Sequence, residues 1–202
     1  MNTRGLLYSC AGVCGALALG ATWMASPEAP WIPSFSTSTT VATSTPNAFS
    51  TTTPNVYFVE KVVDGDTDDV LMNGKVVRLR LIGMDTPEVV DPRKPVQCFG
   101  REASAEGHKL LENQWVRLEY DAVTGKTDIY GRTLAYLFLP DGTLYNEFMI
   151  REGFAHEYDY QNQKYKYRAQ FQAAQKAAQS EGLGFWSPQT CNGNTTKPAG
   201  AL

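Results

Sequence analysis

Two short runs hold the residues best suited to chemistry: Val63-Asp64-Gly65-Asp66-Thr67, and Arg80-Leu81-Ile82-Gly83-Met84-Asp85-Thr86-Pro87-Glu88. Carboxylates at 66 and 85, a third at 88 and a guanidinium at 80 would together make a site for a metal ion and a phosphate. Hard divalent ions take oxygen ligands, and the arginine fork matches phosphate geometry. Each run alone has a plainer explanation. Asp-Gly-Asp-Thr is turn composition, and Asp-Thr-Pro-Glu suits a helix start or a loop. Arg80 shifts the balance. In Val77-Arg78-Leu79-Arg80-Leu81-Ile82, strand alternation puts Arg78, Arg80 and Ile82 on one face and Leu79 and Leu81 on the other. A guanidinium in a largely apolar strand needs a partner, and carboxylates at the strand ends would supply one.

For the acids to meet, the chain between them must double back. Asn73-Gly74 lies between strand-like Val70-Leu71-Met72 and Val76–Ile82, and Asn-Gly tolerates the two positive φ values of a two-residue hairpin. Such a hairpin brings Asp66 and Asp85 to the same end of a small sheet. Further strand-like segments are Val56–Val63, Asp69–Met72, Trp115–Tyr120 and Arg132–Leu139; helical patterns cover Gly100–Glu112, Leu144–Glu152 and Tyr165–Ser180. In the last helix Tyr167, Phe171, Ala174 and Ala178 recur at helical spacing, and Gly182 supplies a stop. Five short strands and three helices predict an α+β, mainly β fold: a five-stranded OB-type barrel with three packed helices.

Composition narrows the function. A formal charge of −3 argues against a nucleic-acid binder that relies on a broad basic surface, but not against an enzyme gripping one or two phosphates. The two histidines, His108 and His156, share no metal-ligand spacing. Neither a G-x-S-x-G elbow nor a phosphate-binding P-loop occurs. Residues 1–25 combine an early arginine with an uncharged apolar run, which predicts a signal peptide or an uncleaved membrane anchor. Either places the rest outside the cytoplasm, secreted or held on the outer face of the membrane. Residues 26–55, rich in Ser, Thr and Pro, read as a disordered linker, 56–191 as the domain, and 192–202 as an unstructured tail. Of four cysteines, Cys10 and Cys14 lie in the apolar stretch, while Cys98 and Cys191 flank the domain. In an exported chain Cys98 and Cys191 are candidates for a disulfide worth roughly 4–5 kcal/mol on the chain-entropy view, with two free buried thiols as the alternative.

Together the motifs are similar to those of the staphylococcal nuclease family. The resemblance runs through Val63–Thr67, Arg80, Asp85-Thr86-Pro87-Glu88, Phe99-Gly100-Arg101-Glu102-Ala103-Ser104-Ala105, Asp128-Ile129-Tyr130-Gly131-Arg132, Asn146-Glu147 and Gly153-Phe154-Ala155. It implies that Asp66, Asp85 and the backbone carbonyl of Thr86 hold one calcium ion. Glu88 would orient or deprotonate the attacking water, while Arg80 and Arg132 grip the phosphate. Tyr130 and Tyr158 would contact the nucleotide. Around Tyr158 the sequence departs from the family pattern by about one residue, which leaves Tyr160 as an alternative. The implied activity is a monomeric, calcium-dependent phosphodiesterase acting on DNA and RNA with little sequence preference, leaving 3′-phosphate ends. A non-catalytic nucleic-acid-binding barrel is the alternative, although such a domain would be expected to lose some of Asp66, Arg80, Asp85, Glu88 and Arg132.

Overall fold

The computed structural model describes Pro54–Ala199. The N-terminal apolar stretch, Cys10, Cys14 and nearly all of the 26–55 linker lie outside the described residues. Among those described, no helix is long and apolar enough to cross a membrane.

Five strands close into a barrel: β1 (Val56–Val62), β2 (Thr67–Met72), β3 (Lys75–Leu81), β5 (Trp115–Glu119) and β6 (Thr133–Phe138), in the order β1-β2-β3-β6-β5. All pairs are antiparallel except β3 with β6. The hairpin forms at Asn73-Gly74, where both residues have positive φ (49° and 75°), and its register runs from Met72↔Lys75 back to Thr67↔Arg80. Strand β2 starts two residues earlier than expected. Its acidic opening residues have little intrinsic strand preference, but Thr67 and Asp68 pair with Arg80 and Leu79, and the ladder overrides propensity.

Leu79 and Leu81 point into the barrel with Val59, Val70, Val116, Leu118, Ala135 and Leu137, as alternation requires. Three helices cover it: α1 (Gly100–Leu111), α2 (Tyr145–Arg151) and α3 (Arg168–Glu181), adding Leu111, Met149, Ile150 and Phe171 to the same core. Gly182 ends α3 in the left-handed conformation, its N–H capping the Ala178 carbonyl.

Two features differ from expectation. A second sheet pairs β4 (Met84–Asp85) with β7 (His156–Glu157), strands too short to leave a periodic signal. Residues Asn192–Ala199, expected as an unstructured tail, lie as a strap against the segment before α1. Gln97 bridges Pro198, the Cys98 N–H donates to the Thr195 and Lys197 carbonyls, and the Ala199 N–H donates to the Val96 carbonyl. Cys98 and Cys191 form the disulfide that fixes the strap's start, packed against Phe185, Phe99 and Trp186 in a small cluster of their own.

Candidate active site

Register builds the site. Because Thr67 faces Arg80 across the β2–β3 ladder, Asp66 falls beside Arg80 at the end of the barrel. The chain then turns at Gly83 into β4 and returns Asp85 to the same guanidinium. Arg80 Nη2 is 2.7 Å from Asp85 Oδ1 and Nη1 is 3.2 Å from Asp66 Oδ2, with Nη1 also donating to the Met84 carbonyl at 2.8 Å. Thr86 closes the group: its N–H and hydroxyl both donate to Asp66 Oδ2, at 2.8 and 3.1 Å. This approach requires glycine at 65, since a Cβ there would stand 2.6 Å from the Thr86 methyl.

Asp66 is 6% exposed, whereas half of the Asp85 side chain remains open. Glu88 follows on the next loop. Its Oε1 accepts the N–H groups of Val89, Val90 and Asp91 at 2.8–3.0 Å, which fixes the carboxylate to its own loop. No hydrogen bond reaches its Oε2 among the described residues. Glu88 is close enough for Asp85 to feel its charge, but it does not line the neighbouring cleft.

That cleft, about 430 Å³, is lined by Arg80 and Asp85 together with Arg132, Tyr130, Tyr158 and Tyr160. Arg132 is held by Asp128, which accepts its backbone N–H and its Nε–H (2.9 and 2.7 Å) and also the Tyr130 N–H. Only Nε is used in that contact, so the terminal nitrogens of the guanidinium stay available to a ligand. Tyr130 and Ile129 are 77% and 78% exposed.

Of the expected site residues, the structure thus gathers Asp66, Arg80, Asp85 and Thr86 into one bonded group. It sets Arg132, Tyr130 and Tyr158 on the same cleft, Tyr160 beside them, and Glu88 just outside it. Asp128 was part of a motif but had no assigned role. Its signal is the Asp-x-x-Gly-Arg spacing, which lets a carboxylate accept N–H groups two and four residues on.

The acidic end of the barrel carries surplus negative charge. Burial, then the Asp66 charge, pushes the Asp64 carboxyl up to about 7. Partial burial, then the Asp66 charge, raises the Asp85 carboxyl against the pull of Arg80. Asp68 is fully buried, neither of its carboxylate oxygens has a hydrogen-bond partner, and burial first, then Asp64, Asp66 and Asp69, raises it well above the usual range. Arg78 is taken up by Asp69, so among the described residues Arg80 is the one arginine against Asp64, Asp66, Asp68 and Asp85. That leaves room for a cation, and an oxygen-only donor set suits calcium or magnesium. Among the described residues no three Asp, Glu, His or Cys side chains group to hold an ion by themselves. Asp66, Asp85 and the Thr86 carbonyl would therefore share a shell completed by water.

The family model described as "Staphylococcal nuclease homologue" matches residues 78–188. The chain is 47% identical over 131 residues to a thermonuclease of Staphylococcus hyicus, covering 65% of this chain and 75% of that protein. It is 46% identical over 130 residues to a thermonuclease of Staphylococcus intermedius, covering 64% and 75%. Endonuclease YncB of Bacillus subtilis (strain 168) is 35% identical over 129 residues, covering 64% and 60%. The barrel, its helices and the arginine clamped between two aspartates thus occur in a chain that belongs to the staphylococcal nuclease family.

Proposed function

We propose that the chain is a calcium-dependent nuclease acting outside the cytoplasm, hydrolysing phosphodiester bonds of DNA and RNA with little sequence preference. The observation that carries this reading is Arg80, tied to Asp66 and Asp85 in a cleft that the partly free fork of Arg132 also lines. Relatives named thermonuclease and endonuclease support it. The disulfide and the apolar N-terminal stretch support an oxidising, extracytoplasmic setting, with the chain released or retained at the membrane as a monomer.

The residues divide the work. Arg80 and Arg132 orient the scissile phosphate, and their hydrogen bonds strengthen as its oxygens gain charge. Calcium held by Asp66, Asp85 and Thr86 would add a fixed positive charge at the phosphate. Glu88 accepts a proton from water as that oxygen attacks phosphorus. The P–O5′ bond breaks in line, the 5′-oxygen leaves and is protonated from solvent, and a 3′-phosphate end remains. Tyr130 and Tyr158 hold the flanking nucleotides by stacking or by hydrogen bonding.

The deciding assay incubates the full chain with single-stranded DNA in calcium or in excess chelator, followed by end-group analysis. Cleavage confined to the calcium tube, with 3′-phosphate products, is the expected result. DNA bound but uncut in both tubes would make the protein a binding module, and cleavage that survives chelation would remove the metal from the reading.

A further inference from the structure

The loop bearing Glu88 is braced from behind. Gln97 grips Glu88 at both backbone groups: its side-chain Oε1 accepts the Glu88 N–H at 2.8 Å, and its own N–H donates to the Glu88 carbonyl at 2.9 Å. The Glu88 carboxylate is bound to the three N–H groups that follow it, so backbone and side chain shift as one piece. Gln97 is itself anchored. It bridges Pro198, and its neighbours Val96 and Cys98 hydrogen-bond to Ala199 and to Thr195 and Lys197. This strap leaves Cys191, which is bonded to Cys98. Thr195, almost fully buried, also sets its Oγ1 3.1 Å from His156 Nε2, and the His156 backbone pairs with Asp85.

We propose that Gln97 is a positioning residue for Glu88, held in that role by the Cys98–Cys191 disulfide acting through the strap Asn192–Ala199. The proposal rests on the reading of Glu88 as the group that activates water. A side-chain oxygen here does what a backbone carbonyl does in a regular ladder, so truncating it leaves the Glu88 N–H without its partner and lets the loop drift. A displaced base loses rate more than substrate affinity.

The test measures kcat and KM on single-stranded DNA, with calcium, for the full oxidised chain. Variants are Gln97→Ala, Gln97→Glu, Cys98→Ser, Glu88→Ala and Glu88→Ala combined with Gln97→Ala, each first shown to be folded by circular dichroism. Gln97→Ala is expected to lower kcat ~10- to 100-fold with KM within ~2-fold. Gln97→Glu keeps the acceptor oxygen and recovers most of the rate. Cys98→Ser lowers kcat in the same direction, and the double variant is no slower than Glu88→Ala alone. A Gln97→Ala loss that persists undiminished without Glu88, a Gln97→Glu as slow as Gln97→Ala, or an unchanged kcat in Gln97→Ala overturns the positioning role. An unchanged kcat in Cys98→Ser overturns the part assigned to the strap. Wild-type turnover in Glu88→Ala instead overturns the underlying reading of Glu88, and so separates the two failures.

Discussion

At the end of the barrel, Arg80 touches Asp66, Asp85 and the Met84 carbonyl, and its side chain is only 13% exposed. At the aromatic rim of the same cleft, Arg132 has one carboxylate partner, and Tyr130 stands mostly in solvent, its ring 5.4 Å from the Arg132 guanidinium. The proposed function accounts for the difference. Charge developing on a phosphate must meet donors already in place, because reorganising them during the reaction would forfeit the gain. Bases of varied shape are better met by exposed rings that can adjust. Asp66 and Arg80 are held by the β2–β3 ladder of the barrel and Asp85 by its pairing with β7, whereas Tyr130 sits on the Asp128–Arg132 turn and Tyr158 on the segment after β7.

The two arginines test this division most strongly. Arg80→Ala is expected to lower kcat by ~10³-fold. It should also lower folding stability by about 3 kcal/mol, since Asp66 and Asp85 lose the cation between them. Arg132→Ala should also depress turnover, yet its ion pair with Asp128 is partly solvated, so stability should fall by less than about 1 kcal/mol. Urea denaturation of both variants beside their kinetics decides the matter. Equal stability losses would show that the two arginines are not anchored differently.

Asp68 sharpens the same contrast from the interior. A carboxyl raised by burial and by three neighbouring acids keeps its proton in the folded state to a higher pH than in the unfolded chain. Folding then binds a proton, so the titration of Asp68 adds no penalty below the unfolded carboxylate range and a growing one as pH rises above it. Asp68→Val, of similar volume and better suited to a strand, should therefore stabilise the protein by about 1–3 kcal/mol at pH 8 and by less at pH 5. Chemical denaturation without added divalent ions measures both. Destabilisation at pH 8 would mean that the buried carboxyl is satisfied in a way its surroundings do not suggest.

How much of this was visible beforehand depended on distance along the chain. The Asn73-Gly74 turn and the alternation around Arg80 are local, so the hairpin, its register and the meeting of Asp66 with Asp85 could be read from the residues. Asp68 could not. Consecutive acids suggest a loop, and only pairing with Leu79 draws Asp68 into the barrel wall. The strap escapes the sequence for a related reason. Asn192-Gly193-Asn194-Thr195-Thr196 has the composition of a disordered tail, and its order comes from a disulfide spanning 93 residues and from backbone bonds to 96–98. The grip of Gln97 on Glu88 has no pattern at all, being one side-chain oxygen in place of a ladder bond.

The smallest expected effect lies on the rim. Tyr130 packs against little besides Arg132, so Tyr130→Ala should leave the fold untouched. Loss of one stacked base is worth about 1.4 kcal/mol, at the low end of such contacts, which corresponds to a KM roughly 10-fold higher on a short single-stranded oligonucleotide. Because the ring takes no part in bond breaking, kcat should stay within ~2-fold, a pattern of uniform binding. Tyr130→Phe, which keeps the ring face, should match the wild type in both constants if stacking is the contact, and should share the KM rise if the hydroxyl reaches a phosphate. A fall in kcat for Tyr130→Ala would mean that the ring holds the Arg132 fork in place. The rim would then share in the preorganisation that Asp66, Asp85 and Asp128 give the two arginines.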